Sequence, residues 1–251
     1  MIKGLYAAAS AMITGVYRQQ AVAHDIANLD TPGFKQILTS LVDFDNTSAY
    51  TQPKQNSNDS TVYLGELGLG VMAAEETTDF TQGTLKLTDS PLDFAVEGPG
   101  FFRIRTPDGE RYTRDGRFSR DATGQLVTVD GNLVLSSAGQ PIKLPEGDVA
   151  VSLNGSITVN GVASGTIGLA FFEDTTTLIR QDQNTFSSTA TPATTGGGSI
   201  LQSTLEQSNV DSAKLMAQMI EISRSYQAAQ TMVQNQDELL GKAISTLGRI
   251  S

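Results

Sequence analysis

Two long apolar stripes with the same helical spacing, one at each end of the chain, constrain this fold more than any other feature. Taken at alternating steps of three and four, the N-terminus reads Ile2, Leu5, Ala9, Met12, Val16, Gln19, Ala23 and Ile26, apolar at seven of eight positions. Such a heptad-type seam predicts an amphipathic helix of about seven turns, roughly 40 Å long. The same steps from Leu215 give Met219, Ile222, Tyr226, Ala229, Val233, Gln236, Leu240, Ala243, Leu247 and Ile250, interrupted only at Gln236. A helix from about Val210 to Arg249 would run roughly 60 Å, well beyond the globular average of about 11 to 12 residues. Ser208 and Asn209 read as its caps, with Asp211 in its first turn, where an acid suits the helix dipole.

A single stripe of this kind ordinarily packs on a local core. Two matched stripes at opposite termini can pair with each other as a coiled coil, leaving the small residues Ala7, Ala8, Ser10, Ala11 and Ala228 for close approach of further helices. A helix pair alone buries little, so such ends are expected to gain order on association. The first helix should stop at Ala27-Asn28-Leu29-Asp30-Thr31-Pro32-Gly33-Phe34-Lys35. Pro32 and Gly33 suit the central positions of a type II turn, and Phe34 is placed to anchor the chain as it is redirected.

Between the helices the period falls to two. Leu92, Phe94 and Val96 alternate, and Phe101 to Ile104 resume the strand after Gly98-Pro99-Gly100. Asp108-Gly109, Asp115-Gly116, Thr123-Gly124, Asp130-Gly131, Ala138-Gly139, Asn154-Gly155 and Asn160-Gly161 then follow as tight-turn signals. They predict roughly eight to twelve short, mainly antiparallel strands in a barrel-like or sandwich domain. Residues 45 to 61 and 187 to 199 show neither period and read as connectors. The expected architecture is α+β. An N-terminal helical segment occupies 1–35, an extended connector 36–80, a β domain 81–186, a return connector 187–207 and a C-terminal helix 208–251.

Charge and composition narrow the function. The formal net charge is -10, yet residues 1 to 35 carry +1 and residues 205 to 251 carry -1, so the excess acid lies in the middle. An acidic centre disfavours nucleic acid as a partner, and near-neutral ends can pack in many copies. No stretch approaches the roughly 20 apolar residues of a membrane span. The N-terminus lacks the pattern of a cleaved secretory signal, so export, if it occurs, is expected to remove nothing.

Cysteine is absent and His24 is the single histidine, which removes thiolate metal sites and cysteine nucleophiles. Asp115, Asp121 and Asp130 miss the spacing of a calcium loop and read as turn residues. Arg103, Arg105, Arg111, Arg114, Arg117 and Arg120 interleave with Asp108, Glu110, Asp115 and Asp121, which predicts a solvated face or subunit contacts. Gly196-Gly197-Gly198 lacks the Lys-Ser/Thr of a phosphate loop. His24 lies off the seam, as an exposed or inter-helix hydrogen-bonding residue. The expectation is therefore no catalytic residue, no metal and no cofactor.

With these motifs in place, the sequence resembles the bacterial flagellar rod and hook axial proteins over nearly its whole length. Ala27-Asn28, Thr31 and Gly33-Phe34-Lys35 match that family's turn after the first helix. Phe80-Thr81-Gln82-Gly83, Asp93 to Val96, Gly100-Phe101-Phe102 and Tyr112-Thr113-Arg114-Asp115-Gly116 follow in its order, and Leu205-Glu206, Ser208-Asn209-Val210, Met219-Ile220, Arg224, Tyr226 and Asp237 match its C-terminal helix. The chain departs from the pattern at His24-Asp25, Lys214, Leu215, Ser223 and Ala229.

The resemblance implies a non-enzymatic subunit of the basal-body rod that stacks helically with its own copies into a hollow drive shaft. It implies neighbouring rod and hook proteins as partners, along with the flagellar type III export apparatus. The connector length and the Tyr112 to Gly116 motif look like those of distal rod proteins, with the proximal rod protein next. The residues expected to form the assembly seam are Leu5, Ala9, Met12, Val16, Ala23, Ile26, Leu215, Met219, Ile222, Tyr226, Val233, Leu240 and Leu247. A secreted β-rich carbohydrate-binding or carbohydrate-active protein is the alternative from another class, and it would need a cleft of convergent carboxylates.

Overall fold

A computed structural model describes residues 2–44, 47–50, 63–182, 184–193 and 196–247. The fold is α+β, with mainly antiparallel sheets between one helix at each end of the chain. Two compact units share the sequence. A helical unit comprises Met1–Ile26, Ile37–Thr77 and Ser212–Ser251, and a β unit comprises Ala27–Gln36 and Thr78–Asp211.

In the helical unit, α1 spans Ile2–Ala27 and α2 spans Ser212–Leu247. Both are free of proline; α1 is rich in Ala and α2 in Ala, Leu, Met and Gln, residues that lose little freedom in a helix. The least exposed line of α2 runs through Leu215, Met219, Ile222, Tyr226, Ala229, Val233, Gln236, Leu240 and Ala243, the very register of the apolar period. On α1 the fully buried positions are Ala8, Thr14, Gly15, Ala21, Val22 and Asp25. Ala8, Gly15 and Val22 lie one residue N-terminal to the line through Ala9, Val16 and Ala23. A Cβ added at Gly4 would lie 3.4 Å from Gln236 Nε2, and one at Gly15 3.6 Å from Tyr226 Cδ2. At those two points the helices meet through the smallest side chains available, running in opposite directions.

The segment expected as an extended connector carries paired strands. Leu41–Asp43 pairs antiparallel with Val71–Ala73, and Thr47–Tyr50 with Tyr63–Leu67. Residues 45, 46 and 51–62 of that expectation lie outside the described residues. The Val71–Ala73 strand seats on α1: the Val71 amide donates to Ser10 Oγ at 3.2 Å, and Thr14 Oγ1 lies 3.2 Å from the Val71 carbonyl. The small face around Ala7 and Ser10, read as a landing for further helices, is here approached by Gly70 and the strand that follows it. Strands of three to five residues are short for displaying a period, which is why the sequence reading missed them.

The β unit holds thirteen described strands between Leu85 and Ser188, slightly more than expected because several are two or three residues long. Its main sheet has eight strands, with Phe101–Thr106 hydrogen-bonded to Gly109–Thr113 in register Phe102↔Thr113 through Thr106↔Gly109. A three-stranded sheet and two further pairs surround it. Alternation along Phe101–Thr106 sends Phe102 and Ile104 into the larger core with Phe94, Phe118 and Leu126, and Phe101 into a second cluster with Tyr112 and Phe186.

The turn chemistry is mostly as read. Asn160 and Gly161 have φ of 51° and 82° between the paired Val159 and Val162, the two positive values of a type I′ hairpin. Asp121 accepts the amides of Thr123 and Gln125 at 2.9 and 2.6 Å, as a turn residue should. Asp115-Gly116 is an exception. Gly116 is not among the positive-φ residues, and a Cβ there would stand 1.6 Å from the Phe94 carbonyl oxygen. Close backbone approach, and not a hairpin, requires glycine at that site.

Candidate functional site

The turn after α1 and the segment before α2 converge within the β unit. The Phe34 amide bonds the Thr31 carbonyl at 3.3 Å and Gly33 has φ of 71°, the closing bond and the positive i+2 angle of the expected type II turn. Thr31 Oγ1 lies 3.2 Å from Asn28 Oδ1. Phe34 is fully buried, with the Arg180 guanidinium 5.0 Å from its ring centre and Arg180 Nη2 donating to the Lys35 carbonyl. Asn184 Nδ2 holds the Pro32 carbonyl at 3.1 Å.

At the centre lies Glu206, the last residue of the Thr204–Glu206 strand that pairs with Leu85–Leu87. Its side chain is 0% exposed. Oε1 accepts Lys35 Nζ at 2.6 Å and the Gly83 amide at 2.9 Å, while Oε2 accepts Arg114 Nη1 at 3.1 Å. Lys35 Nζ also donates to the Thr81 carbonyl at 2.7 Å, and Arg114 donates to the carbonyls of Val96 and Gly98 at 3.2 and 2.8 Å. Burial pushes both the Lys35 ammonium and the Arg114 guanidinium below their ordinary pKa values, against the raising attraction of Glu206. Charges in such a place persist only when paired and hydrogen-bonded on every side.

Asn209 completes the junction. Its Oδ1 accepts the Gln36 amide at 2.8 Å, and its Nδ2 donates to Asp79 and Thr81 carbonyls at 2.9 and 3.2 Å. This corrects the capping expectation: α2 begins only at Ser212, and the Asn209 side chain serves the turn after α1. Ser208 Oγ accepts the Val210 amide at 3.4 Å, and Ser208 and Val210 are half-buried.

The arginine cluster divides. Arg103 pairs with Glu110 at 2.6 Å, Arg111 with Asp108 and Asp182 at 2.9 and 2.7 Å, and Arg117 with Asp115 at 2.7 Å, while Arg105 and Arg120 are exposed. Arg114 does not belong to that solvated face; it is 5% exposed and serves Glu206. Sequence reasoning missed the role of Glu206 and Arg114, although both lie in motif segments, and missed Arg180, which no motif marks.

The seam residues have mixed surroundings. Leu215 and Ile222 are buried; Leu5, Ala9, Met12, Ile26, Met219, Tyr226, Val233 and Leu240 are half-buried. Val16 and Ala23 are exposed, and the side chain of Leu247 lies outside the described residues. His24 is half-buried within α1. Among the described residues no group of three His, Asp or Glu side chains is placed to hold a metal, and no helix is long and apolar enough to cross a membrane.

Comparison with known proteins fits this junction of motifs. Residues 95–161 match the flagellar hook protein FlgE/F/G D1 domain, and residues 201–246 match the flagellar basal body rod FlgEFG protein C-terminal domain. The flagellar basal-body rod protein FlgF of Rhizobium meliloti is 34% identical, with 99% of each chain covered. The chain belongs to the flagellar basal-body rod protein family. FlgF of Caulobacter vibrioides is 32% identical with full coverage of both chains, and FlgG of Buchnera aphidicola (strain Sg) 29% identical over 96% of this chain and 98% of its own. This rod family is structural and not a family of enzymes. The residues above form a buried, hydrogen-bonded junction between the segment after α1 and the segment before α2.

Proposed function

We propose that this rod subunit assembles with its own copies and with neighbouring rod and hook proteins through its two terminal helices, while the β unit forms an independently closed body. In this reading α1 and α2 pair as an antiparallel coiled coil along the inner wall of a helical tube, and the flagellar export apparatus delivers the chain to its growing end. Rods transmit torque, so the subunit must be stiff once in place.

The observation that carries the proposal is the apolar surface left open on the helical unit. Tyr6, Ile13 and Tyr17 of α1 are 66%, 60% and 56% exposed, and Met216, Ile220, Met232, Leu239 and Ile244 of α2 are each more than half exposed. An open groove of about 490 Å³, lined by Ile13, Tyr17, Phe44 and Met72 among others, adds to that surface. Covering such area stabilises by about 25 cal/mol per Å², and large exposed apolar patches mark interaction sites. The chain's relatives carry both FlgF and FlgG names at 29% to 34% identity, so the reading extends to the rod without assigning a section of it.

Replacing Ile13 and Ile220 together by aspartate tests the proposal, because both side chains are exposed in the single chain. The double variant is expected to keep the urea midpoint of the β unit and to fail to build rods, abolishing motility. Normal rods containing the variant would overturn the helix-face assignment.

A further inference from the structure

The junction contains two roots: Gly33 to Gln36, which follow α1, and Leu205 to Asn209, which precede α2. Their hydrogen bonds are not symmetrical. The first root leans on the second, since the Gly33 amide donates to the Glu206 carbonyl at 2.7 Å and the Gln36 amide to Asn209 Oδ1 at 2.8 Å. The second root donates one longer bond back, from the Asn209 amide to the Phe34 carbonyl at 3.4 Å, and otherwise leans on the rest of the β unit. Thr204–Glu206 pairs with Leu85–Leu87, the Gln207 amide donates to the Thr84 carbonyl at 2.8 Å, and the Glu206 carboxylate takes the Gly83 amide and Arg114.

Charge sharpens the asymmetry. With the first root open, Glu206 and Arg114 remain a balanced pair. With the second root absent, Lys35 and Arg114 would be two buried cations with no carboxylate between them, a state that buried sites do not tolerate. Asp79 also attracts Lys35, but its Oδ1 is bonded to the Thr81 amide at 2.9 Å and its side chain is half-exposed. Other holds on the first root, from Arg180, Asn184 and the Asp79 amide to the carbonyls of Lys35, Pro32 and Gln36 and from Lys35 Nζ to the Thr81 carbonyl, supply no negative charge.

We infer that Glu206 makes closure of the junction hierarchical: the segment before α2 must seat before the segment after α1 can be held. An incomplete chain, whether emerging from synthesis or unfolded for transport, therefore carries an N-terminal helix whose root is unclamped until residues 205–209 arrive. The clamp reports that residues 205–209 are in place.

Amide exchange measured by NMR on the full chain tests the order. Glu206→Gln is expected to speed exchange at Gly33 and Gln36 roughly a hundredfold or more, while the Phe101–Thr106 strand stays protected as the control for folding. Lys35→Met is expected to release Gly33 while the Gln207 amide keeps its protection. Unchanged protection of Gly33 and Gln36 in Glu206→Gln would overturn the clamp, and loss of Gln207 protection in Lys35→Met equal to that of Gly33 would overturn the order. If Glu206→Gln unfolds the strand control, the unaltered chain in rising urea decides: Gly33 and Gln36 must open at lower urea than Gln207, and simultaneous or reversed opening contradicts the inference.

Discussion

The β unit and the helical unit treat their large apolar side chains in opposite ways. In the β unit a set of large side chains closes on itself, with Phe94, Phe102, Ile104, Leu126 and Phe186 at most 1% exposed, and the two buried cations Lys35 and Arg114 share the Glu206 carboxylate. In the helical unit, apolar residues at helical spacing remain more than half exposed along both helices. A sheet domain can fold its strands over a shared core, whereas two long helices with one ribbon have more apolar circumference than they can cover. In the proposed assembly, the difference separates what the subunit brings to the rod already folded from what the rod completes.

Several substitutions would break or sharpen that contrast. Glu206→Gln leaves Lys35 and Arg114 buried without their carboxylate, and removing one partner from a buried pair costs about 3–5 kcal/mol; urea unfolding of the isolated chain should show a loss of that size in the β unit. Gly33→Ala comes next. A left-handed backbone and a Cβ 2.4 Å from the Arg114 carbonyl carbon set a strain cost of about 1–3 kcal/mol, read by the same titration. Tyr6→Ala and Ile220→Ala should change the stability of the isolated chain by no more than about 0.5 kcal/mol, as exposed substitutions do, yet slow assembly seen by sedimentation. A Gly33→Ala chain as stable as the original, or a Tyr6→Ala chain that unfolds, would erase the distinction between the two units.

How much of this was legible in the sequence depends on period and on range. The α2 line from Leu215 to Ala243 was readable because one face of a regular helix repeats in sequence. On α1 the buried line through Ala8, Gly15 and Val22 lies one residue from the apolar stripe, and Gly4 and Gly15 come close to α2 because they are small. The type II turn at Pro32-Gly33 and the buried anchor Phe34 followed from local stereochemistry. The partnership of Lys35, Arg114 and Glu206 did not: no local rule joins residues 171 positions apart, and a charged residue read alone is assigned to the surface by default. Asn209 was misplaced for the same reason, since an Asn shortly before a helix looks like a cap until Gln36 is brought beside it in space.

The central claim is that the open helix faces are covered in the rod and only there. Because the chain has no cysteine, single Ile13→Cys and Ile220→Cys variants can be labelled with a maleimide as isolated subunits and again in assembled rods. Both sites should react fully in the isolated subunit and be shielded in the rod. Equal reactivity in the two states would contradict the account.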